Sequence, residues 1–363
     1  MSPLAVLPSP RPLGPAPPLI PAPPLGGGAV TRPLPAAVDA PRAVSDVIAL
    51  ILPLDSAVYR PAAEAVKAGF LDAANRAGIA SRIRVIGHGD DGVLPAFAAA
   101  ADAGVALVVG PLTRDDLKTV IAMSPSRPRM LALNQSDDGS PLPVNAYALA
   151  LSVESDAVQI ARAARADGVR SVAVIASSGA LQRRFAAAFG TEWQNGGGAP
   201  LSQYGFDPNP ELVGQLRREL AARPPDAVVL AIDGDDIALA KSFLPPARVY
   251  AVSQIADDLP PPMLRDLEGV RYIEIPWIAQ PESLAWSESA RSRFQNPLQA
   301  RLYALGLDAL ALAQMLAEPV PPDRVELDGA TGHLSLTPAR IFARQGTMMV
   351  IHDARTMADP AGR

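Results

Sequence analysis

Gly87-His88-Gly89-Asp90-Asp91-Gly92 has the G-x-G-x-x-G spacing of a dinucleotide-binding turn and follows the apolar segment Ile83-Arg84-Val85-Ile86. Such a turn works by presenting bare backbone N–H groups and a helix N-terminus to a pyrophosphate. Here Asp90 and Asp91 would face the phosphates, Pro95 follows at once, and the motif sits after the second strand instead of the first. No cofactor is expected, and the stretch reads as a βα loop. Ser177-Ser178-Gly179 lacks the G-x-S-x-G spacing of a nucleophile elbow, and none of His88, His333 and His352 stands in the context of its base. The acid pairs Asp235-Asp236 and Asp257-Asp258 have the groups for acid–base work, although such runs are ordinarily solvated loops. The chain has no cysteine, which excludes disulfides, thiolate catalysis and cysteine metal sites, and its three dispersed histidines do not suggest zinc. Neither catalysis nor a metal is expected.

Polar groups gather instead at the ends of apolar runs: Ser56, Thr113, Asn134, Ser136, Ser177 and Ser253. Hydroxyls and amides beside free helix N-termini suit a cleft that binds a small polar or anionic molecule. Helix capping at each strand–helix junction would use the same residues, and sequence does not separate the two uses.

The elements that must position these residues alternate strand and helix. Ile48-Ala49-Leu50-Ile51-Leu52, stopped by Pro53, predicts a strand buried on both faces, the pattern of a parallel sheet. A helix follows with Ala62, Ala65, Val66, Gly69, Phe70 and Ala73 on one face. After the strand at 83–86 and a helix through 96–103, the run Gly104-Val105-Ala106-Leu107-Val108-Val109 ends in Gly110-Pro111. Thr113 then caps a helix whose first turn holds Asp115 and Asp116, near the positive end of its dipole. Met130-Leu131-Ala132-Leu133 is a further strand, and Tyr147-Ala148-Leu149-Ala150-Leu151 is expected to cross over. The alternation restarts with Ser171-Val172-Ala173-Val174-Ile175-Ala176, a helix from Gln182 to Trp193 closed by Gly196-Gly197-Gly198, and strands at 227–231, 249–252 and 270–275. The expected fold is α/β, two Rossmann-like lobes with a central cleft at the carboxyl ends of the strands. Lobe 1 is expected at 46–149 plus 279–325 and lobe 2 at 150–278 plus 326–358, with 359–363 a tail.

Residues 1–45 differ. Prolines from Pro3 to Pro35 and Gly26-Gly27-Gly28 exclude a helix or central strand and predict a disordered, extended tether; a ligand for proline-binding grooves is another use. The rest is rich enough, with 49% hydrophobic and 19% charged residues over the whole 363, to bury a sizeable core. A net charge of -5 argues against a nucleic-acid partner, and no polybasic membrane patch is present. No apolar run reaches the roughly 18 residues that span a bilayer, and Met1-Ser2-Pro3-Leu4 lacks the charged start of a signal peptide.

Taken in order, a set of motifs resembles the penicillin-binding protein activator family, the LppC or LpoA type. They are Ile51-Leu52-Pro53-Leu54, Gly110-Pro111-Leu112-Thr113-Arg114, Leu131-Ala132-Leu133-Asn134, Tyr250-Ala251-Val252-Ser253, Leu267-Glu268-Gly269-Val270-Arg271-Tyr272, Ile275-Pro276-Trp277 and Arg301-Leu302-Tyr303-Ala304-Leu305-Gly306-Leu307-Asp308-Ala309. Arg183 to Phe189 before Trp193, and Gly329-Ala330-Thr331-Gly332 ahead of the last strands, agree, so the resemblance spans about 47–354. It implies a type I periplasmic-binding-protein fold with three hinge crossings. It also implies a periplasmic regulator that binds and stimulates a class A penicillin-binding protein, the bifunctional peptidoglycan synthase, without catalysis of its own. Docking would favour the active state of the synthase through differential affinity. Arg114, Trp277, Arg301 and Tyr303 are candidate partner contacts, with core or hinge packing as the other reading of Trp277 and Tyr303.

Two departures bear on localisation. Family lipoproteins carry a signal peptide ending in a lipid-modified cysteine, and this sequence has neither. The inner leaflet of the outer membrane would therefore be reached only through an anchor outside this sequence, which the proline-rich tether suits. Longer family members carry an amino-terminal helical-repeat domain for which this sequence has no room. The alternative left open by the fold is a periplasmic solute-binding protein for an amino-acid-type ABC transporter, with a small polar ligand in the cleft.

Overall fold

The computed structural model describes residues 46–123, 128–136, 141–232, 234–257, 259–280, 294 and 296–360. The expected tether at 1–45, Asp258 and the side chain of Asp235 lie outside the described residues. Strands β1 (Ile48–Leu52), β2 (Ile83–Gly87), β3 (Leu107–Val109), β4 (Met130–Ala132) and β5 (Ala146–Ala148) form a parallel sheet in the order β2-β1-β3-β4-β5. Its helices are α1 (Arg60–Arg76), α2 (Leu94–Asp102) and α3 (Arg114–Ile121). Side chains alternate across a strand, so β1 feeds two cores. Ile48, Leu50 and Leu52 pack on the side of α1, while Ala49 and Ile51 pack on the side of α2 and α3.

The second lobe repeats the pattern with α4 (Val153–Ala166), β6 (Val172–Ala176), α5 (Ala180–Asn195), β7 (Ser202–Gly205), α6 (Pro210–Ala222), β8 (Ala227–Ala231), α7 (Gly234–Ser242), β9 (Arg248–Ala251), α8 (Pro261–Asp266) and β10 (Val270–Glu274). After the short α9 (Pro276–Ala279) comes α10 (Pro297–Leu316), whose middle is buried on nearly every side. A helix that is apolar all round belongs in a core, and α10 crosses α1 at backbone distance. A Cβ on Gly69 would lie 2.0 Å from the Tyr303 carbonyl oxygen, and one on Gly306 would lie 2.2 Å from that of Val66. Only glycine fits either side of this crossing.

The carboxyl-terminal strands are β11 (Glu326–Asp328), β12 (His333–Leu336), β13 (Phe342–Gln345), β14 (Thr347–His352) and β15 (Arg355–Ala358). β14 and β15 run antiparallel on the edge of the second sheet, which has the order β15-β14-β10-β9-β8-β6-β7. β11, β12 and β13 make a separate antiparallel sheet, tied to β5 by the bridge Ala148↔Ile341.

Two expectations are corrected here. Residues 146–148 are the edge strand of the first sheet, paired with β4, and the crossover begins only after them. The segment 326–358 does not belong wholly to lobe 2, because Val325, Leu334 and Phe342 are buried in the core shared by β1, α1 and α10. Only 347–358 joins the second sheet. The chain thus passes between the lobes after β5, after β10 and between β13 and β14.

Candidate functional site

The carboxyl ends of the first sheet gather Ser56, His88, Thr113 and Asn134. Thr113 caps α3: its Oγ1 accepts from Asp116 N at 3.1 Å and donates to Asp116 Oδ2 at 2.5 Å. Asn134 Nδ2 donates to the Leu112 carbonyl at 2.9 Å, and its Oδ1 accepts from Gln135 N at 2.9 Å. Both residues use these polar atoms to hold their own loops, as the capping reading requires. Ser56 differs, since its hydroxyl is buried without a hydrogen-bond partner. His88 Nε2 is likewise buried without a hydrogen bond, 3.8 Å from Asp116 Oδ2. In the glycine-rich loop, Gly89 N donates to Asp91 Oδ1 at 3.1 Å, so the loop's own carboxylate covers an N–H that a pyrophosphate would need.

Of the remaining strand-end residues, Ser136 is half-buried after β4, and Ser177 N extends the second sheet by donating to the Ala231 carbonyl at 2.9 Å. Ser253 is buried where a 3-10 turn opens after β9. Asp236 is half-buried on α7. Arg114, the first residue of α3, faces the other lobe. Its Nη2 lies 3.6 Å from Glu154 Oε1 on α4, and Arg184 Nε on α5 lies 3.2 Å from the same oxygen. Glu154 Oε2 and Arg184 Nε are buried without a hydrogen-bond partner. This is a charge triad held by proximity, without the fork-to-fork geometry of a strong arginine–carboxylate pair.

Trp277, Arg301 and Tyr303 are all buried, which corrects them as partner contacts and agrees with the packing reading of Trp277 and Tyr303. Trp277 packs on Tyr303 with ring centroids 5.5 Å apart, and Tyr303 Oη donates to Asp72 Oδ2 at 2.5 Å. Arg301 reaches from α10 into the second lobe. Its Nη1 and Nη2 donate to the two oxygens of Asp257 at 2.7 and 2.8 Å. Its Nε and Nη2 also donate to the two oxygens of Glu274 at 3.0 and 2.6 Å. Burial pulls the Arg301 pKa down, but the bonds to Asp257 and Glu274 outweigh it and hold it above the usual arginine value.

A second buried tie runs from Arg344 on β13 to Asp156 on α4, and Arg344 Nη1 also donates to the Thr331 carbonyl at 3.2 Å. Gln159 of α4 grips the same strand end, donating to the Arg344 carbonyl at 3.0 Å and accepting from Gly346 N at 2.8 Å. Asp308 of α10 accepts from Ala330 N and Thr331 N, each at 2.7 Å, and from Thr331 Oγ1 at 2.5 Å. Burial pushes Asp156 up to about 6, against the pull of Arg344, and pushes Asp308 up to about 6, against the hydrogen bonds from Thr331 and Ala330.

Sequence reasoning missed Glu154, Asp156, Glu274, Asp308 and Arg344. The signal was there for Asp308, a lone charge inside an apolar run, and for Glu274, set between Ile273 and Ile275, since a charge in a buried run must be paired or hydrogen-bonded. A cavity of about 480 Å³ opens beside this junction, between α4, β12, β13 and β14. Its charged lining is already matched: Arg162 with Glu192, Arg344 with Asp156 and His333 with Asp328. Among the described residues no cluster of three or more His, Asp or Glu side chains could hold a metal ion, and no helix is long and apolar enough to cross a membrane.

The family described as LppC putative lipoprotein matches residues 41–350. A curated relative, penicillin-binding protein activator LpoA of Edwardsiella ictaluri (strain 93-146), is 28% identical over 352 residues, covering 83% of this chain and 50% of the relative. The chain therefore spans about half the length of the curated relatives it matches. The solved carboxyl-terminal domain of LpoA from Haemophilus influenzae, described as a regulator of PBP1A, is 24% identical with a TM-score of 0.75, covering 86% of this chain and 99% of that one. A solved structure from Chromobacterium violaceum, described as a putative branched-chain amino acid ABC transporter, is 33% identical with a TM-score of 0.67, covering 84% and 99%. These likenesses agree with the two-lobed topology: the fold is that of the type I periplasmic binding proteins.

Proposed function

This chain belongs to the LppC lipoprotein family, and from that premise we propose that it is a non-enzymatic activator that docks on a penicillin-binding protein in the periplasm. The observation that carries the reading is the family match over 41–350, joined by curated relatives that bear the activator name. The partner is a class A, bifunctional peptidoglycan synthase, and the chain acts from an outer-membrane lipid anchor. Docking favours the active state of the synthase by binding it more tightly than the inactive one.

The test is a pull-down from detergent-solubilised envelope with tagged full chain, followed by glycan-strand and peptide cross-linking assays on the recovered synthase. Direct binding with a rise in either activity supports the reading; recovery of no synthase overturns it. A second reading, a solute-binding protein for an amino-acid-type transporter, is favoured by the 33% identical structure described as a transporter component. It requires a thermal shift with a member of an amino-acid library, and a chain that ignores the whole library is not such a receptor.

A further inference from the structure

Three charged side chains meet where the carboxyl ends of the two sheets face one another. Arg114 opens α3 directly after the first lobe's β3 loop, and Arg184 lies in the first turns of α5 after β6 of the second lobe. Between them stands Glu154, in the first turn of α4, just past the first crossing. One of its oxygens lies 3.6 Å from Arg114 Nη2 and 3.2 Å from Arg184 Nε. Two cations from opposite lobes converging on one carboxylate make the arrangement a two-lobed receptor would use to close on an anion. Here the carboxylate comes from the chain itself.

The first turn of α4 would favour an acid on its own account, so position alone does not explain Glu154. Its second oxygen does more. That oxygen is buried and lacks a hydrogen bond, and so does Arg184 Nε. Leaving buried polar atoms unpaired is costly, and an acid serving only the helix dipole gains nothing by pointing into this site. We propose that Glu154 is a built-in anion that latches the lobes, filling in cis a carboxylate-binding site formed by Arg114 of one lobe and Arg184 of the other. A free monocarboxylate can take the place once Glu154 is removed. The proposal does not rest on the synthase reading, because a chain that binds no synthase could still carry the latch.

The test uses the full chain, whose lack of cysteine allows clean labelling. Dyes are placed through Leu94→Cys on α2 and Leu212→Cys on α6, both exposed, and the interlobe distance distribution is read by single-molecule energy transfer. Glu154→Ala should shift the distribution toward a larger separation, with about a tenfold change in the ratio of the two populations. Sodium acetate at constant ionic strength should reverse that shift saturably, whereas acetamide should not. Glu154→Gln, which keeps the size and the helix turn, and Arg184→Met should shift the distribution without becoming acetate-responsive. Should Glu154→Ala fail to fold, these two still test the latch, and Glu154→Ser, which vacates the same place, carries the acetate arm. An unshifted distribution in the folded variants overturns the latch, and a shift that acetate leaves untouched overturns the carboxylate site.

Discussion

Two of the arginine–carboxylate meetings between the lobes, one on the hinge side and one on the cleft side, differ in kind. On the hinge side, Arg301 is buried and donates four hydrogen bonds of 2.6 to 3.0 Å to Asp257 and Glu274. On the cleft side, Arg114 and Arg184 share one oxygen of Glu154, with side chains about one-fifth to two-fifths exposed and with Glu154 Oε2 and Arg184 Nε lacking a hydrogen bond. The same chemistry therefore serves opposite ends. A buried, fully bonded pair is expensive to break because one charge is then stranded, whereas a half-exposed pair held by proximity is worth little and exchanges readily. By these contacts the hinge pair is the stronger tie and the cleft triad the weaker one.

The sharpest way to break this comparison is at Arg301. Arg301→Met strands Glu274 in the core and should lower unfolding free energy by about 3–5 kcal/mol, measured by denaturant titration. Adding Glu274→Gln should recover part of that loss. A single-variant loss below about 1 kcal/mol would put the hinge pair in the same class as the cleft triad.

Asp308→Asn should cost about 1–3 kcal/mol, because an amide must turn its NH2 toward one of the donors from Ala330 and Thr331. It also carries a pH signature. Asp308 sits at about 6 in the folded chain against an ordinary 3.8, so folding favours its protonated form. Its contribution to stability is full below about 3.8 and is lost as pH rises through about 6, and Asp156 acts with the same sign. The parent should therefore show a contribution to Tm that falls between pH 4 and 6, and Asp308→Asn should flatten that slope.

On the cleft side, Thr113→Ala removes the α3 cap and should cost about 1 kcal/mol. Glu154→Gln should change stability least, by under about 1 kcal/mol, and the difference should shrink at high salt. A loss above about 2 kcal/mol in Glu154→Gln would show that the cleft triad is a structural clamp like the hinge.

Much of this was legible from residue order. The apolar runs at 48–52, 172–176 and 227–231 are strands as their composition requires, and Thr113 caps α3 as its place after Gly110-Pro111 requires. The failures fall where partners are distant in sequence. Ala146-Tyr147-Ala148 runs without a break into Leu149-Ala150-Leu151, so nothing local separates the strand from the crossover until β4 pairs with 146–148. The strands at 326–345 look no different from those at 347–358, yet they pack into opposite lobes. Core packing was already one reading of Trp277 and Tyr303, and the apolar run 302–316 marks α10 as an enclosed helix; what no local pattern reports is that Arg301 meets Asp257 and Glu274 inside the fold.

Residue order alone was enough for most of the strands and helices, for the two α/β halves and for the family. Those properties follow from local periodicity, turn residues and the order of short motifs. Only the tertiary structure decided which charges meet: Arg301 with Glu274 and Asp257, Arg344 with Asp156, and Glu154 between Arg114 and Arg184. An ion pair depends on distance through space, and burial, which makes one pair a clamp and another a latch, is a property of everything packed around it.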